Sequence, residues 1–248
     1  MASLRHATVF VLLSFSLFLG CSTASAAPNV SLALYYEALC PFCSRFVVLS
    51  LSKIFRDGLS SIVDLRLVPY GNSRIGSNSS ISCQHGPSEC LLNTVEACAI
   101  YVWPNVKVHF SYIFCVESLV LENKYNEWKS CFQKTGLDPQ PLMNCYSSWL
   151  GQKIEHQYAT QTNALLPALR YVPWVVVNGL PLYDDYDNFE NYICKSYNGE
   201  LPDACGSLPL RIPQQREADG ANEVCLLNDK VNSSLAANKN QTHINFLI

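Results

Sequence analysis

The stretch VSLALYYEALCPFCSRF, Val30–Phe46, changes character halfway along. Its first seven residues, VSLALYY, are rich in β-branched and aromatic side chains and read as a largely buried strand. Beyond Cys43 the period changes. Phe46/Val47, Ser50/Leu51 and Ile54/Phe55 recur at helical spacing, and Gly58 just past Arg56-Asp57 is a stop signal. Cys40 and Cys43 therefore fall where a strand hands over to a helix. A second strand follows at Ile62–Val68, where Val63, Leu65 and Leu67 alternate with Asp64 and Arg66. Strand, helix and strand in this short span make one βαβ unit, which favours a parallel pair.

That junction is where a cysteine becomes reactive. Free backbone N–H groups and the helix dipole stabilise a thiolate at a helix start, and Pro41 suits the first turn because its missing N–H costs nothing there. Lowering a thiol pKa from about 8.5 to about 7 takes roughly 2 kcal/mol. It raises the thiolate fraction about 30-fold and lowers intrinsic nucleophilicity about 5-fold. The expected roles are Cys40 as nucleophile and Cys43, one turn in and more buried, as resolving cysteine, with a Cys40–Cys43 disulfide in the oxidised state. A purely structural pair is the plain alternative. Zinc would need two more ligands, with Cys83, His85 and Cys90 as the candidates, but an oxidising compartment disfavours free structural thiolates. No metal or cofactor is expected.

Downstream, Pro69–Ser82 is rich in Gly, Asn and Ser and reads as a surface loop. From Cys83 to about Tyr158 no strand pattern stands out. Helices are predicted within Glu89–Trp103, Tyr125–Gly136 and Asn144–Thr162, the second closed by Gly136 and the third capped by Asn144. Strand character returns in VPWVVVNGLPLY, Val172–Tyr183, with Asn178-Gly179 as a hairpin turn. A last helix is predicted from about Asp187 to Asn198. Val172-Pro173 marks either a simple strand start or a cis-proline facing the cysteine pair, and the sequence leaves the isomer open. The order βαβ, helices, ββ hairpin, helix is that of an α/β, thioredoxin-like domain over residues 27–205. A large cysteine-rich helical insertion, about 83–160, separates its second and third strands.

The rest of the chain points to export. Arg5 and His6 precede an apolar run, Ala7–Gly20, and Ala24–Ala26 supplies small residues for cleavage, so residues 1–26 read as a signal peptide. The run is shorter than the roughly 18–20 residues a membrane span needs. Lipid attachment at Cys21 fits less well, and no later segment reads as transmembrane. Of the 12 cysteines, 11 lie beyond this leader, which implies several disulfides. Sequons at Asn29, Asn78, Asn232 and Asn240 are opportunities for glycosylation. A net charge of −3 without any Lys/Arg block gives no footprint for nucleic acid. Residues 206–248 are polar, lack periodicity and read as a poorly ordered tail.

The segment CQHGPSECLLNTVEAC, Cys83–Cys98, taken with CPFC upstream and YVPWVVVNG downstream, resembles the gamma-interferon-inducible lysosomal thiol reductase family. The resemblance implies a thioredoxin-like fold and reduction of protein disulfides at acidic pH in lysosome-like compartments. It also implies Cys40 and Cys43 as the redox pair, with Val172 and Pro173 at the substrate-binding cis-proline position. His85, Gly86, Glu89 and Asn93 match its signature. They are read as shaping and capping the inserted helices, with His85 as a proton carrier the alternative. The implied partners are disulfide-containing proteins and a thiol electron donor, and the destination is secretion or a lysosome or vacuole. The rivals are a secretory oxidase or isomerase, and a secreted binding module whose disulfides are all structural. Six cysteines (83, 90, 98, 115, 131 and 145) are expected to pair within the insertion, and Cys194 with Cys205. Cys225 stands alone, as a free thiol or the link of a disulfide-bonded dimer.

Overall fold

The computed structural model describes residues 27–206, 208 and 224–227. β1 (Val30–Tyr36) leads through the cysteine pair into α1 (Pro41–Arg45), which continues as a π-helical stretch (Phe46–Leu51) into α2 (Lys53–Arg56). Gly58, at φ +84°, lets the chain turn out of that helix. A 3-10 turn then feeds β2 (Val63–Pro69), parallel to β1 from Val30 opposite Val63 to Tyr36 opposite Pro69. The expected loop after β2 carries a small antiparallel pair, β3 (Arg74–Ile75) and β4 (Ile81–Ser82).

The insertion is helical, as its composition indicates, but its divisions differ from the predicted ones. It comprises α3 (Pro87–Val102), α4 (Val106–Leu121), α5 (Ser130–Thr135), α6 (Pro139–Tyr146) and α7 (Trp149–Asn163). Asn144 caps nothing: it lies inside α6, whose cap is Asp138, accepting from the Gln140 N–H at 3.0 Å. Ser147-Ser148 breaks the predicted third helix, and Ser148 Oγ accepts from Leu150 N–H to start α7. The sequence offers no face for α4, because its middle, His109–Leu119, is buried almost all round apart from Ser111. Without an amphipathic period it gives no helical signal.

The chain then returns to the sheet with β5 (Tyr171–Val172), β6 (Trp174–Val177) and β7 (Leu180–Pro181), followed by α8 (Phe189–Ser196) and α9 (Asp203–Gly206). The principal sheet has the order β2-β1-β6-β7, with β6 antiparallel to β1 and β7 antiparallel to β6. A parallel βαβ half joined to an antiparallel ββα half makes the thioredoxin-like architecture. β8 (Cys225–Leu226) pairs antiparallel with β5, so the polar tail contains a strand that its composition conceals.

Among the described residues two apolar cores result. One packs Leu32 and Leu34 of β1 against Val47, Leu51, Trp174 and Phe189. The other, inside the insertion, gathers Leu92, Val95, Tyr112, Val116, Leu119 and Leu142, and it also takes in Ala38, two residues before Cys40. Bridges Cys83–Cys90, Cys98–Cys145 and Cys115–Cys131 tie the insertion together, and Cys194–Cys205 ties α8 to α9. Among the described residues no helix is long and apolar enough to cross a membrane. Asn29 and Asn78 are exposed. Residues 1–26 with Cys21, and the sequons at Asn232 and Asn240, lie outside the described residues.

The Cys98–Cys145 bridge closes a loop of sequence separation 47 between α3 and α6. Replacing both cysteines by alanine is expected to lower stability by about 4 kcal/mol on the chain-entropy account. Urea titration measures this, and a loss below about 1 kcal/mol would mean the apolar core alone holds these helices.

Candidate active site

Cys40 is the cap residue of α1, with extended backbone (φ −75°, ψ 115°), and Pro41 occupies the first turn. Its N–H donates to the Glu37 carbonyl at 3.3 Å, and its carbonyl accepts from Ser44 N–H at 3.1 Å and Ser44 Oγ at 3.3 Å. Those bonds close the turn and bring the sulfur out at the helix start. Across from it, Cys40 Sγ lies 3.9 Å from the Val172 carbonyl oxygen. The Val172–Pro173 peptide bond is cis. Cys40 and the Val172–Pro173 pair are thus brought together although 132 positions separate Cys40 from Val172.

Two expectations about sulfur pairing are corrected. Cys40 is bonded to Cys225, and Cys43 is a buried free thiol, so the bridge formed is not Cys40–Cys43. Cys225 is then neither a free thiol nor a link to a second chain. The cause is the β5–β8 pairing, which sets Cys225 opposite Val172, the residue whose carbonyl abuts Cys40. Side chains from the loop after β2 hold the strand by its backbone. Asn72 Nδ2 donates to the Cys225 carbonyl at 2.9 Å, Gln84 Nε2 to that of Leu226 at 2.8 Å, and Arg74 to that of Leu227 at 3.3 Å. Under this strand Cys40 is fully buried. A sequence separation of 185 residues leaves no local signal for the contact.

A polar cluster lies under the pair. Glu37 is fully buried, and its carboxyl accepts from Asn72 N–H at 2.9 Å and faces His85 Nδ1 at 3.6 Å. His85 Nδ1 bonds Glu89 Oε2, while Glu89 Oε1 accepts the His85 N–H at 3.1 Å. Gly71, at φ +54°, must be glycine, since a Cβ there would meet Glu37 Oε2 at 2.7 Å. Asn93 Oδ1 of α3 accepts the Ala38 N–H at 2.9 Å, and Glu96 of the same helix accepts the Tyr36 hydroxyl at 2.6 Å. Of the signature residues, Glu89 holds His85 at the start of α3, as a capping role requires, whereas Asn93 ties the segment before Cys40 to the insertion. Glu37, Asn72 and Glu96 were not singled out from the sequence, where an isolated Glu or Asn has no distinguishing neighbour.

Burial sets the charge state of this region. Desolvation, reinforced by Glu89, holds the Glu37 carboxyl well above the usual carboxylate range. It pushes Glu96 up to about 8, despite the Tyr36 bond that favours its charged form, and Glu155 up to about 7. Burial and the neighbouring Glu96 raise Glu117 well above its ordinary value. The Cys43 thiol is likewise pushed up, by burial first and the Glu37 carboxyl second, against a backbone hydrogen bond from Glu37. A metal is poorly served. Glu37, His85 and Cys225 place ligand atoms within 4.8 Å of one another, but the Cys225 sulfur is committed to Cys40, leaving two donors where zinc takes three or four protein ligands. Cys83 and Cys90 are committed to each other.

Comparison with known proteins adds the following. The family model described as gamma interferon inducible lysosomal thiol reductase matches residues 31–135. A gamma-interferon-responsive lysosomal thiol protein of Arabidopsis thaliana is 42% identical over 189 residues, 74% of this chain and 78% of that one. The gamma-interferon-inducible lysosomal thiol reductase of Mus musculus is 34% identical over 205 residues, covering 80% and 77%. Among solved structures, DsbA of Chlamydia trachomatis overlays with a TM-score of 0.48 at 14% identity, over 68% of this chain and 86% of that one.

Two outcomes are expected. A folded Glu96 with a pKa of about 8, against 4.5 ordinarily, keeps a proton that the unfolded chain has lost between those values. Unfolding there releases protons, so stability is fully present below the ordinary value and falls as pH rises through the window. Urea midpoints should be higher at its acid end than at its alkaline end, with a shallower slope in Glu96→Gln. A midpoint that rises with pH would mean these carboxyls are charged in the fold. Asn93→Ala strips the buried Ala38 N–H of its acceptor and should cost about 1–3 kcal/mol in the same titration.

Proposed function

Since this chain belongs to the gamma-interferon-inducible lysosomal thiol reductase family, we propose that it reduces disulfide bonds in protein substrates through Cys40 and Cys43, with electrons from a thiol donor. The chain is a thiol–disulfide oxidoreductase. The observation that carries the finer reading is the position of Cys40, at the cap of α1 and 3.9 Å from the carbonyl that precedes the cis Pro173. A sulfur at a helix start is stabilised as thiolate, and Val172 offers a backbone acceptor to an extended substrate strand.

The Cys40 thiolate attacks one sulfur of a substrate disulfide, and the other substrate sulfur leaves and takes a proton. Cys43 gives up its proton and attacks Cys40 Sγ, so that the substrate departs as a dithiol and a Cys40–Cys43 disulfide remains. Two thiols of the donor then restore the pair and are themselves oxidised to a disulfide. Val172 and Pro173 position the substrate.

The compartment we propose is acidic, lysosome- or vacuole-like, and reached by the secretory pathway with residues 1–26 as leader. Carboxyls held protonated at Glu37, Glu96, Glu117 and Glu155 favour that reading, since acid then costs the fold nothing at these groups. The exposed sequons Asn29 and Asn78 fit it as well.

The test is an insulin-reduction assay at acidic and neutral pH comparing the wild type with Cys40→Ser and Cys43→Ser. Cys40→Ser should fall to the uncatalysed rate and Cys43→Ser well below the wild type, and equal turnover in all three proteins would overturn the assignment. The direction is read from the potential of the Cys40–Cys43 couple. A value near about −270 mV marks a reductant, and one near about −120 mV would favour the oxidase alternative.

A further inference from the structure

Cys225 extends the redox chemistry to a third cysteine. We propose that Val224–Leu227 is a substrate-like latch, which holds Cys40 in an internal mixed disulfide and is released when Cys43 exchanges into that bond. The exchange step rests on the reading of Cys40 and Cys43 above; the latch bond does not.

The segment is held the way a captured substrate strand would be. It is extended, pairs antiparallel with β5 with Cys225 opposite Val172, and is covalently joined to the sulfur assigned as nucleophile. Asn72, Gln84 and Arg74 grip it by three successive backbone carbonyls, those of Cys225, Leu226 and Leu227. The Leu227 N–H in turn donates to the Arg170 carbonyl at 3.2 Å. Recognition through the main chain suits any extended peptide, so the latch and a foreign cysteine-bearing strand compete for one groove. Val224 and Cys225 are buried in it, while the Leu226 and Leu227 side chains face outward.

Three cysteines sharing one disulfide and one thiol have three pairings at the same oxidation level, and two of them engage Cys40. In the closed one, seen here, Cys40 is bonded to Cys225 and Cys43 is a thiol. To open, Cys43 loses its proton and attacks Cys40 Sγ. The Cys43–Cys40 bond forms, the Cys40–Cys225 bond breaks, and Cys225 leaves as a thiolate that takes up a proton. No net oxidation occurs and no outside reductant is consumed. The Glu37 carboxyl and a His85 ring nitrogen both lie within 4.8 Å of the Cys225 sulfur, so proton carriers stand where the departing thiolate forms. The Cys40–Cys43 bridge expected from the sequence is the open arrangement of the same three sulfurs.

The oxidised full chain is quenched in acid, alkylated with N-ethylmaleimide, digested and mapped by mass spectrometry. The expected map joins the Cys40 and Cys225 peptides within a monomer and carries the alkyl group on Cys43. A map with only Cys40–Cys43 and alkylated Cys225, or with Cys225 joining two chains, overturns the latch. A second measurement uses trapping of a disulfide-bearing substrate at micromolar concentration. An intramolecular thiol acts at an effective concentration on the order of mM, so in Cys43→Ser the tail displaces trapped substrate. The double variant Cys43→Ser/Cys225→Ser should accumulate roughly tenfold more mixed disulfide or better. Equal trapping in the two variants overturns the proposal, provided the other four bridges are intact in both. The map does not depend on turnover. Failure of the reductase reading would appear separately, as undiminished turnover in Cys40→Ser.

Discussion

The joint between β1 and α1 has to present a sulfur at a helix cap while its own backbone leaves the sheet. Residues 37–40 have no strand partner on either side, and buried N–H groups without acceptors cost too much to keep. The insertion resolves this. Asn93 accepts the Ala38 N–H, the Ala38 methyl packs into the insertion's apolar core, and Glu96 anchors Tyr36 at the end of the strand. The long excursion between β2 and β5 is therefore part of the active-site scaffold. Its disulfides hold α3 against α6 and α4 against α5, which keeps those acceptors in place.

That scaffold gathers acidic groups where water is scarce. Burying Glu37, Glu89, Glu96 and Glu117 around a thiol would be ruinous were all of them charged, because the low-dielectric interior magnifies like-charge repulsion. Desolvation instead keeps Glu37, Glu96 and Glu117 protonated well beyond the usual carboxyl range, and a protonated carboxyl both donates and accepts hydrogen bonds. The same burial restrains Cys43. Desolvation first, and the Glu37 carboxyl second, raise its pKa and hold it as a thiol.

Much of this was legible in the residues themselves. The change of period at Cys40–Cys43, the alternation in Ile62–Val68 and the β-branched run after Pro173 mark the two halves of the thioredoxin-like core, because strand and helix impose different spacings on apolar side chains. The insertion was legible as helical but not as five helices. Ser147-Ser148 and Asp138 decide boundaries by single hydrogen bonds, and α4 has no polar face to give a period away. Cys40, Cys43 and Pro173 were legible as candidate site residues. Glu37, Asn72 and Glu96 were not, since a lone carboxyl or amide declares nothing until its neighbours across the fold are known.

By itself, then, the sequence determined the fold class, the cysteine pair's place where a strand hands over to a helix, and the family, all of which are written in local spacing and in one long motif. Tertiary structure alone decided which sulfur Cys40 meets, which carboxyls are stripped of water, and that a strand in a polar tail returns to lie along β5. The physical reason is range. Periodicity and capping act over a few residues and leave a trace in the sequence, whereas desolvation and sulfur pairing depend on distances in space between residues up to 185 positions apart.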